Sequence, residues 1–113
     1  MRQDLIATLH ALTAQQTSPL AEWQKSQELA QSTACDKVFM ALTPSEPPAL
    51  LREPSLLNAP LKGLAFSVKD LFDVAGSPTL AGSIVLKGQP AALADCPAVA
   101  RLNKAGGAFL GRT

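Results

Sequence analysis

The stretch Leu64-Ala65-Phe66-Ser67-Val68-Lys69-Asp70 decides the fold of this chain. Its first five residues form a short, mostly apolar run, and the turn-forming residues Pro60 and Gly63 precede it. A run of this length bounded by such residues predicts a buried strand from Leu64 to Val68. Lys69 and Asp70 therefore stand at the carboxyl end of that strand.

Two interpretations of Lys69 follow from its position. Lysine is rarely fully buried, so a strand ending in Lys-Asp ordinarily emerges into solvent with a charged pair at its exit. If neighbours enclose the side chain, desolvation disfavours the ammonium form, and the lysine becomes a base that acts near neutral pH. Ser67 shares a strand face with Lys69, so a Ser67–Lys69 dyad is a further alternative. It is the least favoured one, because no glycine-rich turn follows to build an oxyanion hole.

The remaining apolar segments alternate between helix and strand. The periodicity predicts helices at 4–16, at 19–32 after the Ser18-Pro19 cap, and from Pro97 after Asp95 or Cys96. Further short strands are predicted at 38–42, 83–86 and 108–110. This succession predicts an α/β protein.

A proline-rich segment separates the first two helices from the Lys69 strand. Prolines stand at 44, 47, 48, 54 and 60. Because proline lacks an amide donor and disrupts regular structure, the segment 43–60 is predicted to be an extended surface loop. The apolar runs on either side are too short to close separate cores, which favours a loop within one domain.

Composition excludes several classes of function. Charged residues make up 17% of the 113 residues, below the usual value of about 25%, which is typical of a segment whose surfaces other structure covers. The net charge is +1 without basic clusters, which argues against nucleic-acid binding. Cys35 and Cys96 are isolated and match no metal spacing, and no cofactor motif is present. No signal peptide or membrane span is evident, so a cytoplasmic location is the default expectation.

The Lys69 strand and the residues after it resemble the start of amidase-signature enzymes, the Ser-cisSer-Lys amidases. The resemblance is densest from Pro60 to Thr113. It is carried, in the family's order, by Pro60, Gly63, Val68-Lys69-Asp70, Gly76, Thr79, Gly82-Ser83, Asp95, Val99, Arg101-Leu102, Ala105-Gly106, Gly111 and Thr113.

The resemblance implies a mixed central sheet covered by helices, and it implies that Lys69 is the catalytic base. In the family, this lysine accepts a proton from a bridging serine in a cis peptide, and that serine activates a nucleophilic serine. The two serines lie downstream of the element that ends here at Thr113. Residues 1–113 are therefore expected to be the N-terminal part of one amidase domain, with a helical lead-in 1–42, the proline-rich loop 43–60 and a Lys-bearing segment 61–113.

The resemblance also implies a small-molecule amide substrate for the complete enzyme. The 113-residue piece alone is expected to be inactive, and association of its copies is left open. Two alternatives remain: a non-catalytic truncated product or interaction fragment, and the amidotransferase branch of the same family, which passes ammonia to a partner.

Overall fold

The chain combines helices with one mixed sheet, so the predicted α/β class is confirmed. The computed structural model describes residues 4–43 and 46–113. In chain order its main elements are α1 (Leu5–Thr13), α2 (Pro19–Gln31), β1 (Ala41–Leu42), β2 (Ala65–Val68), α3 (Pro97–Lys104) and β3 (Ala108–Arg112).

The three strands form one mixed sheet in the order β1-β3-β2. The central strand β3 pairs antiparallel with β1 and parallel with β2. Because β2 and β3 are parallel, their carboxyl ends meet at the same edge of the sheet. This arrangement brings Lys69 and Asp70, which follow β2, close to Arg112 at the end of β3.

Capping side chains explain where the first two helices begin. Asp4 Oδ1 accepts a hydrogen bond from Ala7 N at 2.7 Å, and Ser18 Oγ accepts one from Ala21 N at 3.1 Å. Pro19 occupies the first turn of α2, where its missing amide hydrogen has no helical partner to lose. The prediction of a helix over 19–32 is therefore confirmed within one residue, whereas α1 is shorter than the predicted 4–16.

The larger core lies between α2 and the sheet. Trp23 is fully buried and packs with Ala30 of α2, with Ala108 and Leu110 of β3, and with two leucines of the proline-rich segment. A smaller cluster joins Val68, Val74 and Val99 beneath the carboxyl end of β2. Burial of these apolar side chains holds the helices, the sheet and the Lys69 segment together.

The prediction of an extended loop over 43–60 is wrong for most of its length. Pro44 and Ser45 lie outside the described residues, but Ala49–Arg52 and Pro54–Asn58 form two short 3₁₀ helices. Each 3₁₀ helix buries one leucine, Leu51 or Leu56, in the larger core. Proline is compatible with the first turn of a helix, so the prolines here begin structure rather than prevent it.

Two predicted strands also differ from the structure. Only Ala41–Leu42 of the predicted strand 38–42 forms a strand. Met40 N also donates to Arg112 O at 2.8 Å, but Val38 and Met40 are exposed. The segment 83–86 forms turns, and Ile84 and Val85 are 87% and 88% exposed. A short apolar run becomes a strand only where a partner strand is available, and β3 supplies partners for β2 and for two residues of β1.

The structure also tests the predictions made for α3 and α1. Cys96 precedes α3 as its N-cap without a side-chain hydrogen bond, so Asp95 is not the cap. Leu12 of α1 is buried, but Leu5 and Ile6 are exposed, so only the C-terminal half of the predicted apolar face is covered. Among the described residues, no helix has the length and hydropathy required to cross a bilayer.

Candidate active site

Lys69 stands where β2 ends and a tight turn begins. The side chain is exposed, whereas its neighbours Val68 and Asp70 are buried. Within residues 4–43 and 46–113 the ammonium group has no hydrogen bond or ion pair. The lysine therefore leaves the strand into solvent, as the first interpretation of its position predicts, but it forms no ion pair with Asp70. The described residues do not enclose it, as the second interpretation requires, and its head group is free to meet another group.

Thr113, which directly follows β3, holds the main chain on both sides of Lys69. Thr113 N donates to Val68 O at 2.9 Å, and Asp70 N donates to Thr113 O at 2.7 Å. The Lys69 carbonyl accepts from Leu71 N at 2.7 Å and from Phe72 N at 3.1 Å. These four hydrogen bonds fix the backbone position from which the free side chain projects.

A shallow, mostly apolar groove lies beside Lys69. It has a volume of about 170 Å³ and is lined by Ser67, Val68, Lys69, Phe72, Ala98, Val99 and Leu102. Its walls come from β2, the turn after it and α3. The groove could hold an apolar group next to the ammonium.

Ser67 and Lys69 meet in this groove, as their shared strand face predicts. In the described part of the chain no hydrogen bond joins their side chains. Nucleophile and base would need to be within about 2.6–3.2 Å of one another. The arrangement gives no support to a Ser67–Lys69 dyad.

A buried ion pair lies next to Lys69 and was not anticipated from the sequence. Arg112 Nη2 donates to Asp70 Oδ1 at 2.7 Å, and the two side chains are only 5% and 9% exposed. Asp70 therefore does not pair with the adjacent Lys69, as a charged pair at the strand exit would require, because its partner lies 42 residues away. The sequence does contain a signal for this pair. Asp70 and Arg112 carry opposite charges and follow the predicted strands 64–68 and 108–110, whose carboxyl ends would meet if the two strands were parallel neighbours.

The Asp70–Arg112 pair has a limited set of other partners. Leu80 N donates to Asp70 Oδ1 at 3.2 Å, and Arg112 Nη2 lies 3.5 Å from Thr79 Oγ1. Arg112 Nε and Nη1 are buried and meet no acceptor among residues 4–43 and 46–113. Asp70 is thus the carboxylate that neutralises this guanidinium within the described structure.

Carboxylates also hold the long irregular segment between β2 and α3. Asp73 Oδ1 accepts from Thr79 Oγ1 at 2.7 Å. Asp95 accepts from Ala75 N at 2.7 Å and from Asn103 Nδ2 at 2.9 Å. These contacts give a structural account of two family-like residues, Thr79 and Asp95.

Other candidate sites do not assemble. No group of three metal-binding side chains occurs in the described residues. Ser83 Oγ accepts from Val85 N at 3.2 Å, so the hydroxyl takes part in a local turn. His10 lies exposed on α1. The chemistry available at the sheet edge is therefore that of an amine beside an apolar groove.

Comparisons with known proteins identify the family to which this α/β chain belongs. The Amidase family model matches residues 49–113, which is more than half of the chain. The chain therefore belongs to the amidase family, a family of amide hydrolases, and the recognition made from the sequence is confirmed.

Individual relatives support the same family. Over 52 residues the chain is 50% identical to the 1-carboxybiuret hydrolase subunit AtzE of Pseudomonas sp. (strain ADP). That match covers 46% of this chain but only 11% of the relative.

Solved structures extend the match to nearly the whole chain. One chain comes from a vestigial protein complex described as revealing the evolutionary origins of an s-triazine catabolic enzyme. It superposes with a TM-score of 0.86 at 27% identity over 97% of this chain. The inhibitor-bound complex matches with a TM-score of 0.76 at 28% identity. This chain spans 26% of the length of each of these solved chains.

Proposed function

We propose that this chain is the Lys69-bearing N-terminal part of an amidase that hydrolyses a carbon–nitrogen amide bond, with Lys69 as the general base. The observation that carries the proposal is the combination of a fixed backbone and an unpaired ammonium at the carboxyl edge of the sheet. A base must reach the proton that it abstracts. A side chain that no described residue engages is available for that role. Lys69 is exposed in the described structure, so the neighbours that enclose it and disfavour its ammonium form are proposed to come from polypeptide after Thr113 in the complete gene product.

In the proposed mechanism, neutral Lys69 accepts a proton from a bridging serine, which takes one from the nucleophilic serine. The nucleophile attacks the amide carbonyl, the carbon–nitrogen bond breaks, and ammonia or an amine leaves with a proton. Water then hydrolyses the acyl ester and restores both serines and the lysine. The two serines, and the backbone amides that stabilise the oxyanion, are proposed to come from polypeptide after Thr113 in the complete gene product.

The short span of this chain relative to its relatives favours a second candidate for the 113-residue chain by itself. The matched segment covers 11% of the curated relative, and this chain spans 26% of the length of the solved chains. The 113 residues therefore correspond to the part of an amidase around the lysine. By itself it is proposed to be inactive, as a truncated product or an interaction fragment. The amidotransferase branch remains the third candidate. The sequence after Thr113 and a search for a partner subunit separate these candidates.

The test of the proposed base is the variant Lys69→Ala in the complete gene product. Substrates are simple aliphatic and aryl amides, together with 1-carboxybiuret, the compound in the Pseudomonas relative's name. Ammonia or amine release is followed. We expect kcat to fall by about two to four orders of magnitude, the usual effect of losing a general base.

The matched control is Lys87→Ala, which removes an exposed lysine from the irregular segment after β2. We expect it to keep kcat within about two-fold, as is usual for surface substitutions away from a site. A Lys69→Ala enzyme with nearly unchanged kcat would show that the lysine is not the base.

A further inference from the structure

We propose that the buried Asp70–Arg112 ion pair positions Lys69 for catalysis. The inference rests on the proposed function, because it concerns how the proposed base is held. Neither Asp70 nor Arg112 is placed in contact with substrate. Both are positioning residues that act through Lys69.

One member of the ion pair lies directly beside Lys69 in the chain. Asp70 is covalently next to Lys69, and its Oδ1 accepts both from Arg112 Nη2 at 2.7 Å and from Leu80 N at 3.2 Å. One carboxylate oxygen thereby ties the residue after Lys69 to β3 and to the irregular segment before α3. The turn that carries the lysine cannot shift outward without breaking both contacts.

Backbone hydrogen bonds also connect the end of β3 to the residues on either side of Lys69. Thr113 follows Arg112 directly and exchanges hydrogen bonds with both neighbours of Lys69, Val68 and Asp70. Arg112 is therefore coupled to Lys69 by its side chain through Asp70 and by its main chain through Thr113. Movement of the guanidinium would break the side-chain connection and leave the Lys69 turn held by the main-chain hydrogen bonds of Thr113.

Both members of the ion pair are buried. A buried charge that loses its only counter-charge is strongly unfavourable and tends to move toward water. In the described residues the Arg112 side chain has one carboxylate partner, and both groups are at least nine-tenths buried. Removing either member would draw the other outward and displace the Lys69 turn.

The consequence for catalysis follows from the geometry of proton transfer. A general base must be within about 2.6–3.2 Å of the proton donor. A displacement of about 1 Å can lower a rate by about 100-fold. A displaced Lys69 would transfer protons slowly, while substrate binding elsewhere would change little.

The experiment uses the complete gene product and the double variant Asp70→Asn/Arg112→Met. This variant removes both charges with little change of volume, so no buried charge is left unpaired and folding is expected. We expect kcat to fall about 10- to 100-fold while KM stays within about three-fold. Arg112→Lys keeps a cation opposite Asp70, and its kcat should exceed that of Arg112→Met by at least about five-fold.

The matched control is Asp95→Asn, which makes the same chemical change in the same irregular segment. Asp95 bonds Ala75 N and Asn103 and has no contact with Lys69. It should keep kcat within about two-fold. An equal loss in Asp95→Asn would overturn the inference, as would unchanged kcat in the double variant or an effect confined to KM.

A second measurement does not depend on turnover. The amides of Asp70 and Thr113, which bond across the β2–β3 edge, should exchange hydrogen faster in the double variant than in the unchanged protein. Amides within α2 should exchange at the same rate in both. Unchanged exchange at Asp70 and Thr113 would also overturn the inference.

Lys69→Ala separates the two proposals. If Lys69→Ala keeps kcat, or if the unchanged gene product has no amidase activity, the proposed function fails and the positioning role fails with it. If Lys69→Ala loses turnover but Asp70→Asn/Arg112→Met keeps kcat, the positioning role alone fails.

Discussion

At the scale of single residues, Lys69 combines a fixed main chain with a free head group. The residues that fix it are not the apolar ones that the sequence pattern emphasises. They are Asp70, Arg112 and Thr113, which lie at the ends of two parallel strands. A catalytic side chain gains precision when its supporting residues are rigid, because the reacting geometry then needs little reorganisation.

The stability of the fold also depends on the backbone conformation and close packing at Gly106. Its φ is +87°, and a Cβ at this position would lie 2.6 Å from Ala59 Cβ. We expect Gly106→Ala to lower the free energy of unfolding by about 2–4 kcal/mol, since a left-handed backbone and a steric overlap add together. Urea unfolding of the 113-residue chain, followed by the fluorescence of its one tryptophan, buried Trp23, measures the change.

Gly82→Ala is the matched control, because Gly82 has a φ of +68° but no atom within 4 Å of the added Cβ. It should lower the free energy of unfolding by about 1–2 kcal/mol, from the backbone conformation alone. Equal effects at Gly82 and Gly106 would contradict the proposed steric contribution.

At the scale of elements, the residues at which helices begin were predicted within one residue, and the strands were predicted less well. Helix ends depend on local signals, such as the Ser18 cap followed by Pro19, and the sequence displays these directly. Strands depend on a partner that is distant in sequence. For this reason the strand predicted at 38–42 is observed only at Ala41–Leu42, and the strand predicted at 83–86 is a series of turns. The strand predicted at 108–110 is observed as the longer β3.

The candidate site was predictable to the same extent. The position of Lys69 directly after β2 was predicted by the apolar run before it, while its role as the base, which the ordered family residues imply, stays a prediction. The Asp70–Arg112 pair was not predicted, because it requires knowing that β2 and β3 are parallel neighbours. The two 3₁₀ helices within 49–58 were not predicted, because proline disrupts the interior of a helix but is compatible with its first turn.

Glu22 in the first turn of α2 provides a test of pH dependence. Burial tends to raise the pKa of this carboxyl, but hydrogen bonds from Lys25 and Thr17, together with the Lys25 charge, outweigh it and hold the pKa below its ordinary value of 4.5. A carboxyl with a lowered folded-state pKa stabilises the fold above the unfolded-state value. That contribution is lost as the pH falls through the folded-state pKa.

We therefore expect Glu22→Gln to destabilise the chain by about 0.5–1 kcal/mol at pH 7, the usual effect of such contacts. The difference from the unchanged chain should shrink as the pH falls below about 4.5. Urea unfolding at several pH values measures it. Glu28→Gln, on the exposed side of the same helix, is the control. A difference that is constant with pH would exclude Glu22 as the titrating group.

At the scale of the whole molecule, the described structure leaves much apolar surface uncovered. Large apolar side chains that are exposed include Leu71, Phe72, Ile84, Val85 and Leu93. They lie in the segment between β2 and α3, and Phe72 also lines the groove beside Lys69. The solved chains that superpose on this one are about four times as long, and we propose that in the complete gene product the additional polypeptide covers this surface.

The 113-residue chain alone should therefore show no amide turnover. A base without the proposed serine nucleophile cannot form an acyl-enzyme. Ammonia release from the same amide substrates, at high protein concentration, measures this. Turnover that Ser67→Ala abolishes would contradict the expectation and would restore the Ser67–Lys69 dyad.

The isolated chain should also associate or aggregate, because exposed apolar patches and open strand edges favour contacts between copies. Sedimentation over a range of concentrations and thermal unfolding measure the outcome. Ile84→Ser/Val85→Ser should reduce association more than Leu5→Ser/Ile6→Ser, which changes an exposed apolar pair on α1, away from Lys69. A monodisperse monomer that melts cooperatively above about 55 °C, within the range of ordinary mesophile domains, would instead mean that residues 1–113 are a self-sufficient domain whose exposed apolar surface needs no cover.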